Sequence, residues 1–172
     1  IEREDFLEVA PAKFFRLSIG NEVRLKNAYI IKAHKVIHDS EGNTIEIQVT
    51  YDPDSRSGSG SEASQRKVAG TLHWVSIQHA IEAEVRLYDR LFSQAHPGTG
   101  DTDFLTQLNP GSIKTIAAFV EPSLAADGAI SAQAGQQFQF ERHGYFVADR
   151  IDHTTAKPVF NLAVGLKDSW GK

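Results

Sequence analysis

The chain has 172 residues, 41% hydrophobic and 23% charged, with a formal net charge of −4 and neither cysteine nor methionine. That length holds one domain with a sizeable core or two small ones. Disulfide scaffolds and cysteine-based metal sites are excluded, no apolar run is long enough to cross a bilayer, and the acidic balance speaks against a nucleic-acid binder that relies on a broad basic surface.

The missing initiator and the opening Ile1-Glu2-Arg3 imply a piece of a longer protein, and the lack of cysteine fits the cytoplasm. "IEREDFLEVAPA" predicts a short helix stopped near Pro11. The period then changes: Val23, Leu25 and Asn27 alternate with Arg24, Lys26 and Ala28, which puts two cations on one face of a strand. "HDSEGN" is a hairpin turn, with Gly42 and Asn43 tolerant of left-handed angles, and "TIEIQVTYD" is the returning strand. "PDSRSGSGSEASQ" is too poor in apolar residues to offset backbone entropy and is expected to be a mobile loop tip. Strands are expected again at "RKVAGTLHWVS" and "AEVRLYDRLF". "DTDFLTQLNP" predicts a short helix capped by Asp101 or Thr102 and ended by Asn109-Pro110. "SIKTIAAFVEP", "GQQFQFERHGYFVADR" and "PVFNLAVGLKDSW" complete the strands, with a bulge or tight bend at His143-Gly144. Roughly eight to ten short strands with few helices predict an all-β barrel or sandwich.

Few residues form a reaction centre. His34 and His38 share a strand face but lie about 13 Å apart along it, and His73 and His79 lack a third ligand at a metal spacing. The "SGSGS" run lacks the Lys-Ser/Thr of a phosphate loop and carries Glu62 instead. No paired carboxylates or nucleophile elbow stand out. What remains is a set of basic and amide residues on strands: Arg16, Arg24, Lys26, Gln139, Arg142 and Lys167. These are either solvated strand faces or readers of an anion. Arginine makes two parallel hydrogen bonds to a base edge or a phosphate, and glutamine both donates and accepts. Unstacked RNA bases present such edges.

The order of "EVRLKNAYIIKA", "RKVAGTLHWVS", "AEVRLYDRLF", "FVEPSL", "FQFERHGYF" and "VFNLAVGLKDSW" resembles the C-terminal anticodon-binding region of the glutaminyl-tRNA synthetase family along the whole chain. The resemblance implies two small antiparallel β-barrels with few short helices, of the type also found in a 5S-rRNA-binding ribosomal protein. It places residues 1–71 plus 149–172 in the first barrel, with an open edge at its N-terminal side, and 72–148 in a second, inserted barrel. It implies recognition of the anticodon loop of tRNA(Gln). No cofactor and no metal belong to this stretch; the ATP and Mg of the ligase reaction belong to a catalytic domain upstream in the same chain.

By the same resemblance Arg16 attends the third anticodon base, Arg24 and Lys26 the first, and Gln139 with Arg142 the central uridine, while Lys167 also lies at the anticodon. Lys26 and Lys167 stand where relatives commonly carry arginine, which keeps the charge and loses the fork. Leu162 and Ala163 replace a more polar pair. A related glutamate–tRNA ligase, an rRNA-binding barrel protein, and a β module for protein or sugar are the competing readings. The last is separable because phosphate contacts make affinity fall steeply with salt.

Overall fold

The computed structural model describes residues 1–126 and 129–166. The chain divides into two compact units, Ile1–Trp74 and a second beginning at Val75.

In the first unit β1 (Glu22–Leu25), β2 (Ile30–His38), β3 (Thr44–Asp52) and β4 (Thr71–Leu72) form one sheet in the order β3-β2-β1-β4. Its pairings are antiparallel except β1 with β4, which is parallel. The inward positions, Val23, Ile31, Ala33 and Leu72, close a core with Phe6 and Leu17. The β2–β3 turn is built as the sequence implies: Gly42 takes φ +84°, and the Asp39 carboxylate accepts from the backbone of Glu41 and Asn43 and from the Asn43 amide. The Asn43 amide is the main reason its carboxyl is held below the ordinary value.

The N-terminal helix is reduced to a three-residue 3-10 turn, Arg3–Asp5. Packing overrides the helical pattern. Phe6 bridges Leu17, the Asp5 carbonyl accepts from the Leu17 amide, and both apolar side chains enter the core. Beyond β3, the segment expected to be a bare loop is knit together. It holds a 3-10 turn, Pro53–Ser55, and a one-turn helix α1, Glu62–Gln65, capped by the Asp52 and Ser61 side chains. Ser55 is fully buried and bonds the Ile30 amide. Serine hydroxyls and guanidinium groups satisfy backbone atoms that composition alone leaves to solvent.

The second unit holds a five-stranded sheet. Its members are β5 (Ile81–Tyr88), β6 (Ile113–Val120), β9 (Gln137–Phe140), β10 (Gly144–Ala148) and β11 (Val159–Gly165), in the order β6-β5-β11-β10-β9. A two-residue pair, β7 (Ala125–Ala126) with β8 (Ala129–Ile130), lies between β6 and β9 in sequence. The expected helix is a 3-10 turn, Phe104–Gln107, capped by Asp103 and not by Asp101 or Thr102. Ala83, Val85, Val120, Ala132, Phe146, Ala148 and Phe160 form the core.

The expectation grouped 149–172 with residues 1–71. In the structure β11 pairs in parallel with β5 and antiparallel with β10, so residues 159–165 lie in the second sheet. The cause is aromatic packing: Phe160 is fully buried and meets Phe138 and Phe140 edge-on at ring separations of 5.8 and 5.2 Å. The all-β reading holds, with two main sheets, one two-residue strand pair and few short helical turns among the described residues.

Candidate nucleic-acid interface

In β1 Val23 is turned into the core, so Arg24 points the other way, where it is half-buried. Its guanidinium is committed. Nη1 donates to the Ser55 carbonyl at 2.9 Å and the Ser57 hydroxyl at 3.5 Å; Nη2 donates to the carbonyls of Ser64 at 2.8 Å and Arg66 at 3.4 Å. Arg24 therefore pins the serine-rich segment to β1. Arg66 adds a second tie, to Asp52 at 2.9 Å and Glu22 at 3.3 Å. Hydrogen bonding to Asp52 raises its own pKa and lowers that of Asp52.

Lys26, expected on the strand beside Arg24, lies one residue past its end, exposed at the tip of the β1–β2 hairpin. Its backbone is fixed on both sides. The amide donates to the Leu72 carbonyl at 2.9 Å, and the carbonyl accepts the Trp74 indole Nε1–H at 3.0 Å. Asn27, with φ +58°, makes the reversal.

Arg16 sits against the N-terminal turn. Its Nη1 donates to the Asp5 carboxylate at 2.7 Å and reaches the Glu4 carboxylate and carbonyl at 3.4 Å. The Asp5 carboxylate is fully buried whereas the Arg16 side chain is 37% exposed. The arginine thus compensates a buried charge through one nitrogen, and its planar fork holds further donors. Phe15, beside it, is in close contact with Gly70: a Cβ on that glycine would lie 2.1 Å from the Phe15 carbonyl oxygen. Since the Gly70 carbonyl accepts from the Arg24 amide, the backbone at Phe15 and at Arg24 meets the same glycine.

In the second unit β9 and β10 are joined by a tight turn, Glu141–His143, closed by the His143 amide on the Phe140 carbonyl at 3.0 Å. Arg142 occupies it at φ +70° and is exposed; Gly144 follows at φ +148°. This is the tight bend read from the sequence. Phe138 and Phe140 face the core, Phe140 stacking on Phe146 at 4.6 Å. The alternation turns Gln139 outward, exposed on the edge strand of the sheet. An uncharged amide and a guanidinium three residues apart are thus presented on one strand and its turn. Lys167 lies outside the described residues.

The structure brings Arg24 and Lys26 to one end of the first sheet, and Gln139 and Arg142 to one end of the second. Sequence reasoning missed the supporting residues. Trp74 was visible only as part of the "LHWVS" motif, and the serines that Arg24 engages were hidden in a low-complexity run. Two further cations are engaged within the second unit. Arg86 is bonded to Glu84 at 2.7 Å and Asp152 at 2.6 Å, and Lys157 reaches Glu84 at 3.2 Å. Among the described residues no three metal-binding side chains cluster, and no helix is long and apolar enough to cross a membrane.

Two family models match, each described as the anticodon-binding domain of class I tRNA synthetases (E and Q), one over residues 1–52 and the other over 71–149. A glutamine–tRNA ligase of Ralstonia pickettii is 55% identical over the whole chain, which covers 29% of that relative. Glutamine–tRNA ligases of Nitrosomonas europaea and Escherichia coli O157:H7 are 50% and 51% identical, also over the whole chain, which covers 30% of each. The chain thus spans less than a third of the length of these relatives.

Proposed function

Since the chain belongs to the anticodon-binding domains of the class I tRNA synthetases for glutamate and glutamine, we propose that it reads the anticodon loop of tRNA(Gln) for a glutamine–tRNA ligase. The observation that carries this reading is the identity of 55% along all 172 residues to a protein of that name. The whole enzyme joins glutamine to tRNA with ATP and Mg in the cytoplasm. In this reading that chemistry belongs to a catalytic domain in the part of the enzyme that these residues, 29% of the length of the Ralstonia pickettii relative, do not cover.

In this reading Gln139 and Arg142 face the central uridine. The amide donates and accepts toward one base edge while the guanidinium takes a carbonyl or a phosphate. Lys26 meets the first base by charge and a single hydrogen bond. Arg16 offers its remaining nitrogens to the third base, and Lys167 adds a further cation at the loop. Arg24 is given a different task from the one expected of it. With four oxygens already on its fork, it shapes the ground beside Lys26 instead of reading a base.

Binding of the full-length protein to a tRNA(Gln) anticodon stem-loop, and to the same loop with each anticodon base replaced in turn, tests this. Each well-made base contact contributes about 1–3 kcal/mol of discrimination. Equal affinity for all four loops overturns the proposal. Preference for a glutamate anticodon moves it to the sister enzyme.

A further inference from the structure

Tyr145 has no part in the reading above, yet the register of the sheet sets it directly across from Gln139. Residues paired across antiparallel strands project from the same face with Cβ atoms about 4.5–5.5 Å apart. The opposite face is settled by packing: Phe146 is 3% exposed and Phe138 packs on the same core. Tyr145 is therefore on the outer face with Gln139, and the residue is 49% exposed. On its other flank it pairs with Val164, which is 60% exposed. The result is a solvent-facing strip on which an aromatic ring sits between an amide on the edge strand and a small apolar floor. The turn carrying Arg142 joins the same two strands.

Among the described residues Tyr145 stays half-exposed on this face. A half-exposed tyrosine on a sheet face offers aromatic surface on which an unstacked base can lie. Single-stranded RNA is bound in this way, by bases laid on aromatic side chains while their edges meet amides and guanidinium groups. We infer that Tyr145 is the stacking platform for the nucleotide whose edge Gln139 and Arg142 read, so that one strand pair supplies both the face and the edge contacts of one base. The inference rests on the proposed role of Gln139 and Arg142 and extends it to a residue for which neither motif nor family match gives a role.

The test measures affinity of the full-length protein for the tRNA(Gln) anticodon stem-loop and for the same loop made abasic at the central position. Stacking predicts that Tyr145→Ala weakens binding of the intact loop about 10- to 100-fold, while Tyr145→Phe, which keeps the ring, stays within about twofold of the parent. With the abasic loop, parent and Tyr145→Ala bind alike. The inference is overturned if Tyr145→Ala binds the intact loop as well as the parent while Gln139→Ala does not. It is also overturned if Tyr145→Ala weakens intact and abasic loops by one common factor, the signature of a distorted sheet. Should neither Gln139→Ala nor Arg142→Ala change binding at any base, the reading of the site itself fails and the platform with it.

Discussion

The indole Nε1–H of Trp74 donates a 3.0 Å hydrogen bond to the backbone carbonyl of Lys26. Together with the Leu72 carbonyl, which receives the Lys26 amide at 2.9 Å, it fixes the main chain of the hairpin tip at Lys26 from both sides. A lysine has little preorganisation in its long stem, so its aim depends on the main chain beneath it.

Trp74→Phe removes the donor and keeps an aromatic ring. The loss of one such bond should lower stability by about 0.5–1.5 kcal/mol, read as a shifted urea midpoint. Discrimination at the first anticodon base should fall as well, as is expected of Lys26→Ala. In the double variant the two losses should be less than additive, because the indole acts through the lysine. Full additivity would separate Trp74 from the tip.

Arg24→Met should release the segment from Ser55 to Arg66, since two short bonds to its carbonyls, 2.9 and 2.8 Å, are lost together. The expected cost is about 1.5–3 kcal/mol, with faster amide hydrogen exchange confined to that segment and its neighbours in β1. Arg24→Lys should not restore protection, because one ammonium cannot span both carbonyls. Unchanged exchange in the methionine variant would mean that the pin is idle and that the side chain is free for a base.

Much of this architecture could be read before any coordinates. The alternation at Val23–Leu25, the Asp39–Asn43 turn and the outward placement of Gln139 between two phenylalanines follow from a period of two and from turn chemistry. What could not be read was the competition for shared partners. Arg24 has the same local pattern whether it faces solvent or a loop thirty residues away, and the loop that claims it is written in serine and glycine, which carry no periodicity. The helix foreseen at the N-terminus was lost because Phe6 and Leu17 gain more from the first core than three turns of helix would give. Likewise, the pull of Phe160 on Phe138 and Phe140 that sets 159–165 in the second sheet is a tertiary fact with no local signature.

Asp149 gives the second unit a defined acid limit. Its carboxylate accepts from the Asp152 amide at 2.7 Å, the Asn161 side chain at 2.6 Å and the Ile151 amide at 2.8 Å, and these bonds lower its pKa to about 2. A carboxyl whose folded-state pKa is depressed contributes stability above its unfolded value, and that contribution is lost as pH falls through the folded value. Stability should therefore decline between about pH 4 and pH 2. Asp149→Asn should be less stable near neutrality and should show a flatter decline across that window, followed by tryptophan fluorescence or circular dichroism. Parallel curves for the two proteins would remove Asp149 from the acid transition.

Gly144 ties the stability of the second sheet to the aim of Arg142. It follows the turn at φ +148°, and an added Cβ would lie 2.5 Å from the Val164 carbonyl oxygen and 3.3 Å from the Gly165 Cα. Both are backbone atoms of the neighbouring strand, so they cannot swing aside as a side chain could. Gly144→Ala must open the β10–β11 contact or twist the turn, at a cost of about 1–3 kcal/mol. Because the displaced residue abuts the Glu141–His143 turn, the loss should fall most heavily on recognition of the central anticodon base. An alanine variant that remains folded should bind the central-base-substituted and parent loops with nearly equal affinity, as Arg142→Ala would. If it keeps full central-base preference at reduced stability, the bend is a requirement of the sheet alone and Arg142 is aimed by other contacts.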